Sequence, residues 1–538
     1  MECASLLAPF VEARFLPTNR DQTRLKSGSL PPHSKAPSAR DAKSMRQLMQ
    51  TGHYLFRIGS IRRLSGAKGM PSAASSLVCF AARLVVSICL AGPLHAQQPV
   101  VRSYSLNAAD EDWSFLRERS KRSDFWDPLK YISLGREDRY LTLSGEIRYR
   151  AEGFHVRSNG ATPSTMDNYL LQRYLVGVDL HLGPRFRLFT EVQSGIINGQ
   201  LRSPRPTDQN VADFHQAFLE WRQPIKGKSV FGLKAGRQEL SIGSSRLISA
   251  SPGLNVKRSF DGALLYFRNS SWRLSGAFAK LVSVNPSVFD DRPDHEQTFW
   301  GASASRKSPR FQQGELGFYY LNVDRAHAVY NQGPGRDVRR TLGMKWAGTG
   351  TRLDLNNDLI WQWGSFEGSA IRAWAFSAET GYRFVKALGK PRISIRTDIA
   401  SGDRDSSDPR LQSFNPLFPG NSYSGQVGLF GPTNLTDFTP AVTFILKRNA
   451  FVTFEAPSYW RTSTADGVYT TDLKLLLPAA FGQGKYVGTN PGVVGVWQVT
   501  RHVTFQGAIT RFIAGGFLEK TFVAGGFGFY SATFLYRF

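Results

Sequence analysis

The final stretch, Ala524 to Phe538, constrains the fold more than any other part of the chain. Tyr530, Ala532, Phe534, Tyr536 and Phe538 fall on one phase of a two-residue period, with Ser531, Thr533, Leu535 and Arg537 on the other. Successive side chains of a strand point to opposite faces, so the segment predicts a strand with one aromatic, apolar face and one mostly polar face. A hairpin of a soluble sandwich would show this pattern. So would a strand of a membrane-spanning barrel, whose apolar face meets lipid.

The same alternation begins at Tyr140. Leu141, Leu143, Ile147 and Tyr149 share one phase, while Thr142, Ser144, Glu146, Arg148, Arg150 and Glu152 share the other. Such a run is longer than most strands of globular sheets. The rule predicts about eighteen strands, the first near 140–154 and the last near 522–538, inside the even-numbered range of single-chain barrels. Their connections alternate in length. Tight turns follow even-numbered strands, as at His181 to Pro184, Arg268 to Ser271 and Gly348 to Thr351. Polar stretches follow odd-numbered strands, at 197–211, 239–258, 284–296, 324–338, 402–433 and 460–489. A soluble sandwich or propeller has no reason to keep that parity, whereas a barrel with short periplasmic turns and long extracellular loops does. The expected fold is all-β: one antiparallel transmembrane barrel over residues 140–538, with both ends on the short-turn side. A polar segment, 97–139, precedes it, and Trp113, Phe115, Phe125 and Trp126 are expected to pack near the periplasmic rim.

Bulk composition fits without deciding. Hydrophobic residues make up 41% of the chain and mean hydropathy is −0.28, averages in which alternating strands are hidden. The longest apolar run, Leu84 to Leu94, is too short and interrupted for a spanning helix. It reads instead as part of an export signal: Arg83, an apolar stretch from Leu84 to Ala91, Pro93, then a small residue at Ala96, after which cleavage is expected. Cys89 is a poor lipid-attachment site because bulky Ile88 precedes it. The signal (70–96) would normally open a polypeptide, so Met70 is the expected start and residues 1–69 an upstream or disordered extension.

The three cysteines, Cys3, Cys79 and Cys89, all lie in that leading part, which leaves the body without a disulfide framework or thiolate chemistry. The formal charge is +25, and +16 once residues 1–96 are set aside, where 54 Lys and Arg face 38 Asp and Glu. The basic residues are dispersed over strands rather than clustered, and the chain is exported. An anionic solute or anionic lipopolysaccharide is therefore the expected partner, and nucleic acid is not.

Little in the body suggests bond-making chemistry. His155, His181, His215, His295, His327 and His502 are scattered, and no nucleophile elbow or phosphate-binding glycine loop appears. Asp403, Asp405 and Asp408 have a spacing compatible with calcium, but solvated loop charges are the simpler reading, so no metal or cofactor is expected. Inward-phase charges are more informative: Arg148, Arg150, Arg187, Lys234 and Arg396, with Glu146, Glu152, Glu191 and Asp398 among them. Mixed charge of this kind ordinarily solvates a lumen. A surplus of arginine at a constriction would attract anions and hold carboxylates through paired hydrogen bonds.

Lys234 to Ile248 (KAGRQELSIGSSRLI) followed by Asn255 to Phe267 (NVKRSFDGALLYF) resembles the alginate export family of outer-membrane porins. So do Ser401 to Asp403, Phe414 to Gly420 (FNPLFPG), Tyr423, Gly425, Gly431 to Asp437 (GPTNLTD) and Pro440. The resemblance extends from about Asp112 to Phe538. It implies an eighteen-stranded monomeric barrel whose arginine-rich lumen passes acidic polysaccharide. By motif it carries over Arg237, Gln238, Arg246, Arg258 and Asp261 as pore-region residues. The terminal Phe538 resembles the cue read by the barrel-assembly machinery. The expected function is an outer-membrane channel for an anionic saccharide or other acidic solute; a general or substrate-specific porin for small solutes is the alternative. A barrel enzyme would need a nucleophile and base at the rim. An adhesion or assembly barrel would need a larger plug than residues 97–139.

Overall fold

The computed structural model describes residues 104–538 except 157–164, 202, 226–227, 244, 309–313, 421–426, 483, 520 and 522–524. The expected extension, the export signal with Met70 and Ala96, and Tyr423 and Gly425 lie outside the described residues. Eighteen strands form the wall. They are β1 (Arg139–Val156), β2 (Thr165–Leu182), β3 (Phe186–Asn198), β4 (Asn210–Ile225), β5 (Ser229–Gln238), β6 (Phe260–Arg268), β7 (Trp272–Ser283), β8 (Gln297–Ser308) and β9 (Gly314–Tyr330). Then come β10 (Gly333–Thr349), β11 (Leu353–Phe366), β12 (Ser369–Arg383), β13 (Arg392–Ala400) and β14 (Leu435–Lys447). β15 runs through Ala450–Glu455 and Ser458–Arg461, and β16 through Tyr486–Thr489 and Gly492–Gln498; β17 (Val503–Ala514) and β18 (Phe527–Arg537) complete the set.

Each strand pairs antiparallel with the next, and β18 returns to β1 from Val156↔Phe527 to Glu146↔Arg537. Closure leaves no open edge, which is what a sheet crossing lipid requires. Among the described residues no helix is long and apolar enough to cross a membrane; the strands do so. Val176, Leu219, Phe278, Trp300, Phe318, Leu342, Trp361 and Ile509 are exposed on the outer wall, where lipid replaces a protein core. Phe538 extends the closing ladder through reciprocal backbone bonds with Gly145, each 3.0 Å. Its ring occupies the space a side chain at position 145 would need, and it stacks on Trp126 at 4.2 Å.

At the long-loop end the sequence expectation needs one correction. The polar stretch 324–338 is not a loop: β9 and β10 continue through it and leave only Asn331 and Gln332 as a turn. Its charges are consumed by the strands themselves and by a neighbouring loop. Arg339 pairs with Asp337, Tyr330 donates to Asp337 (2.6 Å), and Asn415 donates to both (3.0 and 3.1 Å). The β11–β12 connection is equally tight, with Glu367 and Gly368 both at positive φ (46° and 82°), the conformation of a primed two-residue hairpin.

Three long connections fold inward. The β5–β6 loop buries Leu247 and Ile248 against Phe260, Phe299 and Phe418, the last from the β13–β14 loop. Phe430 from the latter and Val468, Leu476 and Leu477 from the β15–β16 loop pack on the wall residues Phe154, Leu171, Phe512 and Phe529. From the opposite end, the segment around residues 104–111 runs into the lumen instead of staying at the rim. Gln216 donates to Asn107 Oδ1 (2.9 Å), Arg187 to the Ala109 carbonyl (2.8 Å) and Lys257 to the Leu106 carbonyl (3.3 Å).

Candidate functional site

Inside the wall the long-loop half is filled and the short-turn half is hollow. Two cavities occupy the hollow half. One, of about 710 Å³, lies between Leu106, Lys234, Leu240, Tyr266, Ser305 and Tyr319; the other, about 1360 Å³, between Asp110, Tyr140, Arg187, Glu220, Lys234 and Arg268. Leu106, Asn107 and Asp110 of the leading segment line the first, and Asp110 also lines the second, so the segment stands at their border.

Lys234, Tyr266, Arg268 and Arg273 line both cavities. Strand alternation places Lys234 inward on β5, Tyr266 and Arg268 inward on β6, and Arg273 inward on β7 directly across from Arg268. Arg268 lies over the Tyr266 ring (5.7 Å) and Lys234 over the Phe218 ring (4.9 Å). Of the nearby acids, Glu220 pairs with Arg187 (3.1 Å) and Arg222 (3.7 Å) and Glu315 with Lys345 (2.9 Å), while Asp110 borders both cavities beside the group. Among the described residues, Lys234, Arg268 and Arg273 form no ion pair, and two adjacent guanidinium groups face the same water-filled space. Such a pair holds carboxylates, phosphates or sulfates.

Most arginines singled out in the sequence have other employment. Arg148 donates to the carbonyls of Gly253 (3.0 Å) and Leu254 (2.9 Å), and Arg150 ion-pairs with Glu152 and reaches Gly253 (3.3 Å). Arg187 is held by Asp179 (2.7 Å) and Glu220, and Arg396 by Asp398 (3.3 Å) and Asp437 (3.5 Å). Arg246 bridges Asp358 (3.0 Å) and Asp398 (2.9 Å). Arg258 donates to the carbonyls of Ser249 (3.2 Å) and Pro419 (3.0 Å), tying two inward loops together. Gln238 borders the smaller cavity and donates to the Gly262 carbonyl (3.3 Å). Arg237 and Asp261 face each other across β5 and β6 (2.8 Å), away from the cavity group, and Arg237 also meets Asp213 (3.3 Å). Arg148, Arg150 and Arg246 fasten the β5–β6 loop to the wall, whereas Arg187 and Arg396 pair with acids of neighbouring strands.

Arg173, Arg268 and Arg273 are not among the residues singled out in the sequence, although strand phase places all three inward. Arg173 pairs with Glu146 and donates to Leu254 O (2.7 Å), completing the clamp begun by Arg148. Two acidic groups have metal-like spacing, Glu191–His215–Glu239 and Asp213–Asp290–Asp291. Lys257 is ion-paired with Glu239 in the first, and Arg237 with Asp213 in the second, so a protein cation already sits in each.

Residues 139–524 match the sequence model of the alginate export family. The chain belongs to that family. Its barrel is similar to two solved structures: the outer membrane protein OpdK of Pseudomonas aeruginosa and a BenF-like porin of Pseudomonas fluorescens Pf-5. OpdK is 12% identical with a TM-score of 0.51, covering 74% of this chain and 98% of its own. For the BenF-like porin the identity is 8% and the TM-score 0.51, with the same coverages of 74% and 98%. No curated protein sequence matches the chain. Family and fold are those of outer-membrane channels. The short turns therefore face the periplasm and the inward-folded loops the cell exterior.

Proposed function

We propose that this alginate export family channel passes an anionic solute, an acidic saccharide or a similar polycarboxylate. The observation that carries the reading is the group Lys234, Arg268 and Arg273, three cations that line both periplasmic cavities with no carboxylate in ion-pair contact among the described residues, although Asp110 borders both. In a narrow, low-dielectric passage each such cation attracts a close anion by roughly 1–4 kcal/mol, depending on the effective dielectric. The loop-clamping arginines contribute less to selectivity, because acids and carbonyls of the protein already compensate them.

Reversal potentials in planar bilayers under a salt gradient test this. Wild type should prefer anions, and R268A/R273A should move clearly toward cation preference with folded yield unchanged. Preference retained by that variant would refute the assignment. The inward-folded loops favour a second reading within the same class, a channel for short acidic solutes and not for long polymers. Current block by uronate oligomers of increasing length separates the two: block that falls off beyond a few sugars supports the short-solute channel.

A further inference from the structure

The outer wall carries a feature unrelated to transport. The registers of five consecutive strands align Trp300 (β8), Asn322 (β9), Arg340 (β10), Trp363 (β11) and Arg372 (β12) in one row across the barrel. All five stand on the lipid-facing phase: their chain neighbours Phe299, Leu321, Arg339, Gln362 and Ile371 are buried inside. Arg340 and Arg372 are exposed, and among the described residues neither has an ion-pair partner. The acid nearest above them, Asp324, is already bound to Arg336 at 2.6 Å.

The height of this row matters. Trp363 is ten residues above the periplasmic end of β11 at Leu353. At about 3.3 Å per residue and a strand tilt near 40°, that is roughly 25 Å along the barrel axis, the height of the apolar band of such barrels. On β9 and β10 the outward positions below the row are apolar or aromatic, including Phe318 and Leu342, as are Leu359, Trp361 and Phe376 on the next two strands; Arg306, near the periplasmic end of β8, is the charged exception. The two arginines thus stand where the outer leaflet's hydrocarbon gives way to headgroups, with Trp300 and Trp363 as interfacial anchors. At the midplane such charges would be heavily penalised, whereas at this level they are tolerated and positioned for anions.

We infer that Arg340 and Arg372 form a binding site for the phosphorylated glycolipid headgroup of the outer leaflet, the lipid A part of lipopolysaccharide. Charge complementarity selects this occupant. The inter-strand spacing puts the two backbones about 10 Å apart, with Trp363 between. Two long guanidinium arms at that distance suit a headgroup bearing two phosphates, each taken through paired hydrogen bonds.

Full-length protein extracted from outer membranes provides the test, with bound lipid counted by native mass spectrometry after adding bisphosphorylated lipid A, dephosphorylated lipid A or phosphatidylglycerol. Wild type should hold bisphosphorylated lipid A at least tenfold more tightly than R340A/R372A, while R340K/R372K recovers part of the loss. R306A, at an outward arginine stacked on Trp272 near the periplasmic end, should bind as wild type. Should R340A/R372A fail to give the heat-shifted folded band, the single variants R340Q and R372Q carry the same comparison. Equal binding by wild type and variants overturns the site. So does equal retention of dephosphorylated lipid A or phosphatidylglycerol, since either would remove the headgroup phosphates as the recognised feature.

Discussion

The two halves of the lumen are enclosed by the same strands, yet they are built on opposite principles. Towards the exterior, the inward positions Phe154, Tyr169, Leu171, Ile197, Phe512, Phe527 and Phe529 are apolar and packed by loops. Towards the periplasm, inward positions on the same strands are Glu146, Arg173, Asp179 and Arg187, and the neighbouring space is open. These inward side chains above the membrane midline are apolar and pack on loops, whereas those below it are charged and pair among themselves beside open cavities. On the proposed reading, closure falls to the loops and selectivity to the periplasmic wall.

The largest expected effect comes from opening the filled half. Asp466 accepts from the backbones of Asp403 (2.9 Å) and Gly467 (2.7 Å) and from the hydroxyls of Ser413 (2.5 Å) and Tyr469 (2.6 Å). It joins two inward loops at one buried carboxyl whose pKa burial raises. D466A leaves several buried donors without an acceptor, a loss on the order of 3 kcal/mol or more. Conductance should become larger and noisier, with faster hydrogen exchange over residues 466–477. A variant that conducts as wild type would mean the loops do not close the passage.

A smaller effect is expected from the hollow half. Removing residues 104–111 takes away the partition between the cavities and the contacts to Gln216, Arg187 and Lys257. Single-channel conductance should rise while the heat-shifted folded band keeps its intensity. Unchanged conductance would show that the ion path bypasses the segment.

The smallest effect is a pH dependence of how firmly that segment docks. Lys130 Nζ is fully buried, 4.0 Å from Glu111 and over the rings of Tyr104 and Trp113 (5.2 Å each). Burial lowers its pKa from 10.5 to about 8. The undocked segment then binds more protons than the docked one between those values, so docking tightens as pH rises from about 8 towards 10.5 and is constant below that window. Limited proteolysis of the segment should slow over this range in wild type and lose the trend in K130M.

The wall was legible because its cause is local: a side-chain period of two, enforced by lipid outside, repeats eighteen times, and the longest connections all follow odd-numbered strands. The segment 324–338 was misread because its charges resemble a solvated loop, while Arg339 and Asp337 satisfy each other inside a strand. The site was less legible. Strand phase shows that Arg148, Arg187 and Arg396 point inward, but not whether an acid or a folded loop waits for them. That depends on residues far along the chain, as when Arg148 meets Leu254 or Arg396 meets Asp437. Arg268 and Arg273 stand out only once those distant partners are placed and none is found to reach them.

Barrel closure also sets the order of events in assembly. The Arg537–Glu146 contact joins residues 391 positions apart, so the first strand has no final neighbour until the last has been made. Contacts of such sequence separation make folding slow, and every intermediate before this one exposes two unpaired sheet edges prone to association with other chains. Until β18 arrives, Trp126 also lacks the Phe538 ring on which it stacks. Docking of the leading segment is therefore a late step, and its protection from protease should report on the final zipping of the wall, not on the collapse that precedes it.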